Sequence, residues 1–154
     1  MTTRRFAEKT TCTVDQTLAD IKRLLKANGA ESFAQGETGT VFALMFELHG
    51  RRYRMIVPMP TEADVKGGRF LDSRGCRINR DQVERSRLRA LLLVLKAKIE
   101  AAAIGLSTLE DELLPSLVLP DDMTFAQWSR PQVERAYCLG EMPPLLALGP
   151  GEAR

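Results

Sequence analysis

The chain has 154 residues, 44% of them apolar and 27% charged, and its 22 basic and 20 acidic side chains nearly balance. This length and apolar fraction predict one soluble domain with a single core. No unbroken apolar run is longer than six residues, the length of Ala90 to Leu95. A bilayer-spanning helix needs roughly 20, so we expect no membrane partner.

The distribution of charge and the cysteines predict the sign of a binding surface and the cellular compartment. Residues 1–105 carry 19 basic and 12 acidic side chains (+7), whereas residues 106–154 carry 3 and 8 (−5), which sum to the overall +2. A binding surface in the first two thirds is therefore expected to be basic. The first residues contain no apolar export segment, and three widely spaced cysteines indicate reduced thiols in a cytosol. We expect a cytoplasmic protein.

The first predicted helix follows Thr13, which caps it together with Gln16 in a capping box. Gly29 supplies the left-handed position that ends it. Between these residues the apolar side chains repeat at helical spacing. They are Val14, Leu18, Ile21, Leu24 and Leu25.

Residues 31–58 predict a three-stranded antiparallel meander. Val41 to Leu48 is the central strand, His49-Gly50 is a two-residue hairpin turn, and Glu31 to Gly36 is a weaker third strand. Pro58 then stops the sheet. The register leaves one face apolar and the other half polar. The apolar pairs are Phe46–Tyr53, Leu44–Met55 and Phe42–Val57, and the half-polar pairs are Glu47–Arg52 and Met45–Arg54.

Residues 59–79 predict a flexible basic loop without regular structure, because they are rich in glycine and cations and poor in large apolar side chains. A long helix follows from about Asp81 to Ala103, capped by Asn79 with Gln82. Its apolar stripe is Leu88, Leu91, Leu92, Leu95 and Ile99. Small side chains on the opposite side suit close packing against the C-terminal helices or a second copy of the chain. They are Ala90, Ala97 and Ala101.

Two shorter helices complete the prediction. One opens at a capping box from Ser107 to Glu110, and the last starts at Thr124 with Gln127 and ends at Gly140. The fold class is therefore α+β, with an N-terminal helix, a three-stranded antiparallel meander, a long helix and two shorter C-terminal helices. We place the single domain at residues 1–141 and a Pro/Gly-rich tail at 142–154.

No reactive centre is visible. The single histidine, His49, falls at the predicted hairpin tip, and no Cys/His pair has zinc-ligand spacing. No phosphate-binding glycine motif of the common kinds occurs. Cys76 lacks a base or resolving partner, Cys138 is expected to be packed in a helix, and the acidic clusters fit helix and turn starts. We expect no enzyme activity, no metal and no cofactor.

The basic side chains give the best binding candidate. Arg85, Arg89 and Lys96 are spaced to line one flank of the long helix, and Arg52 and Arg54 lie on the wetter sheet face. Such spacing can follow nucleic-acid phosphates. A solvated helix flank with ordinary ion pairs is an equally good interpretation of the same residues.

Several segments together resemble a family of small uncharacterised proteins encoded by bacteriophages and prophages. They are RALLLVLKAKIEA (Arg89 to Ala101), STLEDELLPSLVLPD (Ser107 to Asp121), the Trp128 to Tyr137 segment, MPPLL (Met142 to Leu146), and the opening RRFAEKTTCTV with IKRLLKANGA. The resemblance implies a protein that acts for a phage in a bacterial cytoplasm. It carries no site residues.

Three functions follow as hypotheses. The first is a non-enzymatic phage accessory protein that contacts nucleic acid through the five cations above. The alternatives are a counter-defence inhibitor that binds a host protein, through the sheet edge or the acidic last third, and a protein that sequesters a small nucleotide signal. A homo-oligomer is compatible with each. The order of helix, three strands and helix also resembles that of double-stranded-RNA-binding domains, in topology alone.

Overall fold

The structure, a computed structural model, describes residues 6–72 and 74–140. The predicted α+β class and its order of elements are confirmed. The elements are α1 (Val14–Ala27), β1 (Ala30–Thr38), β2 (Val41–Leu48), β3 (Arg51–Pro58), α2 (Glu62–Lys66), α3 (Arg80–Ala103), α4 (Leu109–Leu113), a 3₁₀ turn (Leu114–Ser116) and α5 (Phe125–Leu139). The predicted tail at 142–154 lies outside the described residues. Within the described ranges, no helix combines the length and hydropathy needed to cross a bilayer.

The helix starts are set by local side-chain caps, as predicted. Thr13 Oγ1 accepts the Gln16 N–H, and the Gln16 side chain accepts the Thr13 N–H. Gly29 follows α1 with a φ of +91°, in the left-handed region that suits glycine. Asn79 caps α3 through the N–H of Gln82, so that helix begins one residue before the predicted Asp81. The Thr124–Gln127 box caps α5 in the same way.

The three strands pair in the order β1-β2-β3, all antiparallel. Every predicted β2–β3 pair is observed, from Glu47 opposite Arg52 to Phe42 opposite Val57. The His49-Gly50 turn fixes this register, because both residues have positive φ and the turn twist matches the strands. Strand β1 is longer than the predicted Glu31 to Gly36 and carries a bulge near its start.

One sheet face packs on α1 and α3 and forms the core. From β2, four alternate side chains point into it, and Tyr53 stacks on Phe46 with ring centroids 5.4 Å apart. The helices supply the facing layer, and α1 and α3 also pack on each other. The most deeply buried members of the core are Ile21, Leu25, Phe42, Leu44, Phe46, Leu48, Tyr53, Leu88, Leu92, Leu95 and Leu113.

Three local predictions are wrong. Residues 59–79 contain α2, capped by Thr61 with Asp64, and a bridge between Leu71 and Arg77, because the Thr-x-x-Asp box supplies a helix start that composition alone hides. Their flexibility stays a prediction. Helix α4 is capped by Thr108, one residue after the predicted Ser107. Cys138 is exposed rather than packed.

The displaced Ser107 has another role, because its hydroxyl donates to Glu112 Oε1 at 2.7 Å. Lys98 Nζ donates to the same carboxylate and to the Glu112 carbonyl, which holds α4 against α3. The Ser107 hydrogen bond, followed by Lys98, holds the pKa of Glu112 below its ordinary value.

We expect this clamp to fail in acid. Because the folded pKa of Glu112 is depressed, its stabilisation is complete above the ordinary carboxyl pKa of about 4.3 and disappears as the pH falls through the folded value. Glu112→Gln should therefore lower the melting temperature at pH 7 but leave it nearly unchanged at pH 2. Thermal melts of both proteins across that range test this, and an equal loss at both values would contradict it.

Candidate nucleic-acid interface

Arg52 and Arg54 project from the sheet face that points away from α1 and α3. Arg54 lies opposite Met45 and Arg52 opposite Glu47, whereas the alternate residues of both strands face the core. The Arg54 side chain is only 18% exposed and contacts Asp122 through two hydrogen bonds, one of them to the carboxylate at 3.2 Å. Asp122 therefore already neutralises the charge of Arg54, and of these two arginines only Arg52 is exposed.

Arg85, Arg89 and Lys96 lie on the other side of the sheet, on the flank of α3 that faces α1. Arg89 Nη1 contacts Asp20 Oδ2 on α1 at 3.3 Å. The other oxygen of Asp20 accepts from Arg23 Nη1 at 3.1 Å. One carboxylate thus joins arginines from two helices, and their combined charge stays at +1.

The basic surface extends over both helices. Leu25 and Leu95 line the same cavity, and each is followed in its helix by a lysine, Lys26 in α1 and Lys96 in α3. Both lysines are exposed. We call this surface the helical face. It comprises Arg23 and Lys26 of α1, Arg85, Arg89 and Lys96 of α3, the bridging Asp20, and Glu100 one turn after Lys96.

A cleft of about 470 Å³ continues the helical face at the N-terminal end of α3. Lys9, Arg77 and Arg85 line it, together with Glu8 and Asp72. The Asp72 carboxylate accepts the backbone N–H groups of Cys76 and Arg74. These hydrogen bonds, together with the nearby charges of Arg74 and Lys9, hold the pKa of Asp72 below its ordinary value. The cleft keeps a net charge of +1 and opens beside Arg85.

Sequence reasoning missed Arg23, Lys26, Lys9 and Arg77 as members of this surface. Cations in the last turn of a helix are favoured by the helix dipole, so their position in the sequence does not by itself indicate a binding role. The spacing of Arg23 and Lys26 places them on one side of the helix. Which helix packs beside that side is a long-range property that no local spacing reports.

The predicted placement of His49 is confirmed: the ring is 63% exposed at the hairpin tip, with Glu110 Oε1 3.9 Å from its Nδ1. Cys76 is also exposed. Within residues 6–72 and 74–140, no group of three or more His, Cys, Asp or Glu side chains is placed to hold a metal ion. The absence of enzyme activity stays a prediction.

Comparison with known proteins does not assign the chain to a family. No protein-family model matches the sequence, and no curated protein or solved structure is similar enough to match. The resemblance to phage proteins therefore stays a prediction, and the function must be argued from the surface itself.

Proposed function

We propose that the protein binds nucleic acid through the helical face, as a non-enzymatic accessory protein of phage type. The observation that supports this most is the arrangement of Arg23, Asp20 and Arg89. A single carboxylate spans both helices between two arginines, so the surface is cross-linked and still carries excess positive charge.

The dimensions of the face suit a phosphate backbone. Arg85 and Lys96 are 11 residues apart on α3, which is about 16 Å along the helix axis at 1.5 Å per residue. That distance covers about five base pairs at 3.4 Å each. Each neutralised phosphate releases counterions, so four engaged cations predict a slope of about −3.6 in log K against log salt.

The ligand we favour is a duplex, bound without sequence preference. The residues of the helical face include no aromatic side chain, and single-strand binding relies on aromatic stacking. The aromatic side chains Phe42, Phe46 and Tyr53 are buried in the core. Phosphate contacts fix position and carry no sequence information.

Removing the bridging carboxylate should strengthen binding. In Asp20→Asn, both arginines keep their place on the face and lose their neutralising partner. We expect affinity for duplex DNA or RNA to rise several-fold at 0.1 M salt, and the salt slope to steepen by about 0.9 for each cation released. Fluorescence anisotropy across a salt titration measures both quantities.

The matched control is Glu134→Gln, which makes the same charge change on the exposed part of α5. An affinity gain in this variant equal to that of Asp20→Asn would show that only net charge matters. If the unmodified protein binds neither duplex at 20 mM salt, the proposal is wrong.

A further inference from the structure

The free edge of β1 carries unpaired backbone groups. Each residue of β2 bonds to one neighbouring strand only, and Leu48, Phe46, Leu44 and Phe42 pair with β3 around the two-residue turn. The alternate β2 residues therefore bond to β1, at Ser32, Ala34, Gly36 and Thr38. By alternation, the N–H and C=O groups of Phe33, Gln35 and Glu37 point outward.

The other edge of the sheet is different. The Val118 N–H donates to the Arg52 carbonyl at 2.8 Å, and Tyr53 forms a bridge with Leu117. This segment covers part of the β3 edge. Among residues 6–72 and 74–140, no strand pairs with the outer edge of β1, although β1 is nine residues long.

A cavity of about 160 Å³ lies under the second half of this edge, and we call it the edge pocket. The apolar part of its wall comes from Val14, Leu18, Phe42 and Leu88. Two carboxylates, those of Glu37 and Glu84, line it as well. A long side chain with an apolar stem and a cationic end fits such a pocket.

The charges of the pocket favour a cation. Glu84 is paired with Arg80 at 2.7 Å, and nearby Glu62 is paired with Lys66 at 3.3 Å. Glu37 is exposed and has no cationic partner within 4 Å in the described ranges, although Arg80 interacts with it electrostatically at longer range while bonded to Glu84. One arginine thus faces two pocket carboxylates, so the pocket keeps a net charge of −1, and Glu37 is the carboxylate without a direct ion pair.

We propose that the edge of β1 accepts an extended strand from a protein partner, and that a lysine or arginine of this strand fills the edge pocket and pairs with Glu37. Backbone hydrogen bonds supply affinity and the pocket supplies selectivity, as in other strand additions. A second copy of the chain is a poorer occupant. Because β1 carries Glu31 and Glu37 and no cation, self-pairing brings like charges together.

The test uses a nine-residue peptide that alternates valine with lysine, matched in length to β1. Two control peptides replace lysine with glutamate, or carry N-methyl groups on the amides of one edge. We expect the lysine peptide to bind, and both controls to bind at least about tenfold more weakly. Fluorescence anisotropy of labelled peptides gives the affinities.

Protein variants locate the site. Glu37→Lys should weaken the lysine peptide about tenfold and let the glutamate peptide bind, whereas Glu47→Lys, the same change on the other sheet face, should do neither. Gln35→Pro removes an outward N–H and should abolish binding, while Gln35→Ala should keep it. Because proline can disturb the strand, the N-methyl peptide tests the same bond with unmodified protein.

Three results would overturn the proposal. The first is no binding of the lysine peptide at 1 mM, a dissociation constant that corresponds to a binding free energy of about 4 kcal/mol. The second is equal binding of the N-methyl peptide. The third is a dimer in sedimentation that Gln35→Pro dissolves, which would show that a second copy occupies the edge.

Discussion

Leu44→Ala is expected to lower the free energy of unfolding by about 3 to 5 kcal/mol. Leu44 lies in the central strand, is fully buried, and points at the layer formed by α1 and α3. Deleting its methyl groups leaves a cavity between the sheet and the two helices. Because β2 is hydrogen-bonded to β1 on one side and β3 on the other, it cannot move inward to fill the cavity. Urea denaturation monitored by circular dichroism measures the change.

The neighbouring residue provides the control. Met45 is 44% exposed on the opposite sheet face, so Met45→Ala should cost less than about 1 kcal/mol. The pair thus tests the register, since a shift of one residue exchanges the two faces. Equal losses for both variants would contradict the observed sheet.

The double charge reversal Arg85→Glu with Lys96→Glu should have the largest effect on nucleic-acid binding. At 0.1 M salt each phosphate contact contributes roughly tenfold, because the binding constant varies as about the −0.9 power of salt. Losing two contacts, and adding two repulsive ones, should weaken duplex binding by on the order of 100-fold or more. The salt slope should fall by about 2.

Arg52→Glu makes the same kind of change on the opposite sheet face and should leave the affinity within about threefold. Both proteins must keep the wild-type circular dichroism spectrum. If Arg52→Glu weakens binding as much as the double reversal does, the nucleic acid contacts the sheet face instead, and the helical face is not the site.

Features that depend on neighbours in sequence were predictable. The caps Thr13–Gln16 and Thr124–Gln127 are set within one helical turn, and the His49-Gly50 turn fixes the register of the two strands that it joins. The alternation of apolar side chains then determined which sheet face is buried. These parts of the fold required no knowledge of distant contacts.

The candidate site was less predictable because its pairs are distant in the chain. Arg89 contacts Asp20, 69 residues earlier, and Arg54 contacts Asp122, 68 residues later. Nothing local indicates that one cation is neutralised while Lys96 stays exposed. The five predicted cations therefore divide between two faces of the sheet, and only the structure shows which of them share a surface.

Helix α5 has a consequence of its own. Among the described elements it packs mainly against the 3₁₀ turn at Leu114–Ser116, no residue of it is fully buried, and Tyr137 is 86% exposed. Its backbone amides should therefore exchange with solvent through a local opening that leaves the sheet intact. The molecule should then unfold in two steps, first locally at α5 and then as a whole. A protease can therefore cleave α5 while the rest of the domain is still folded.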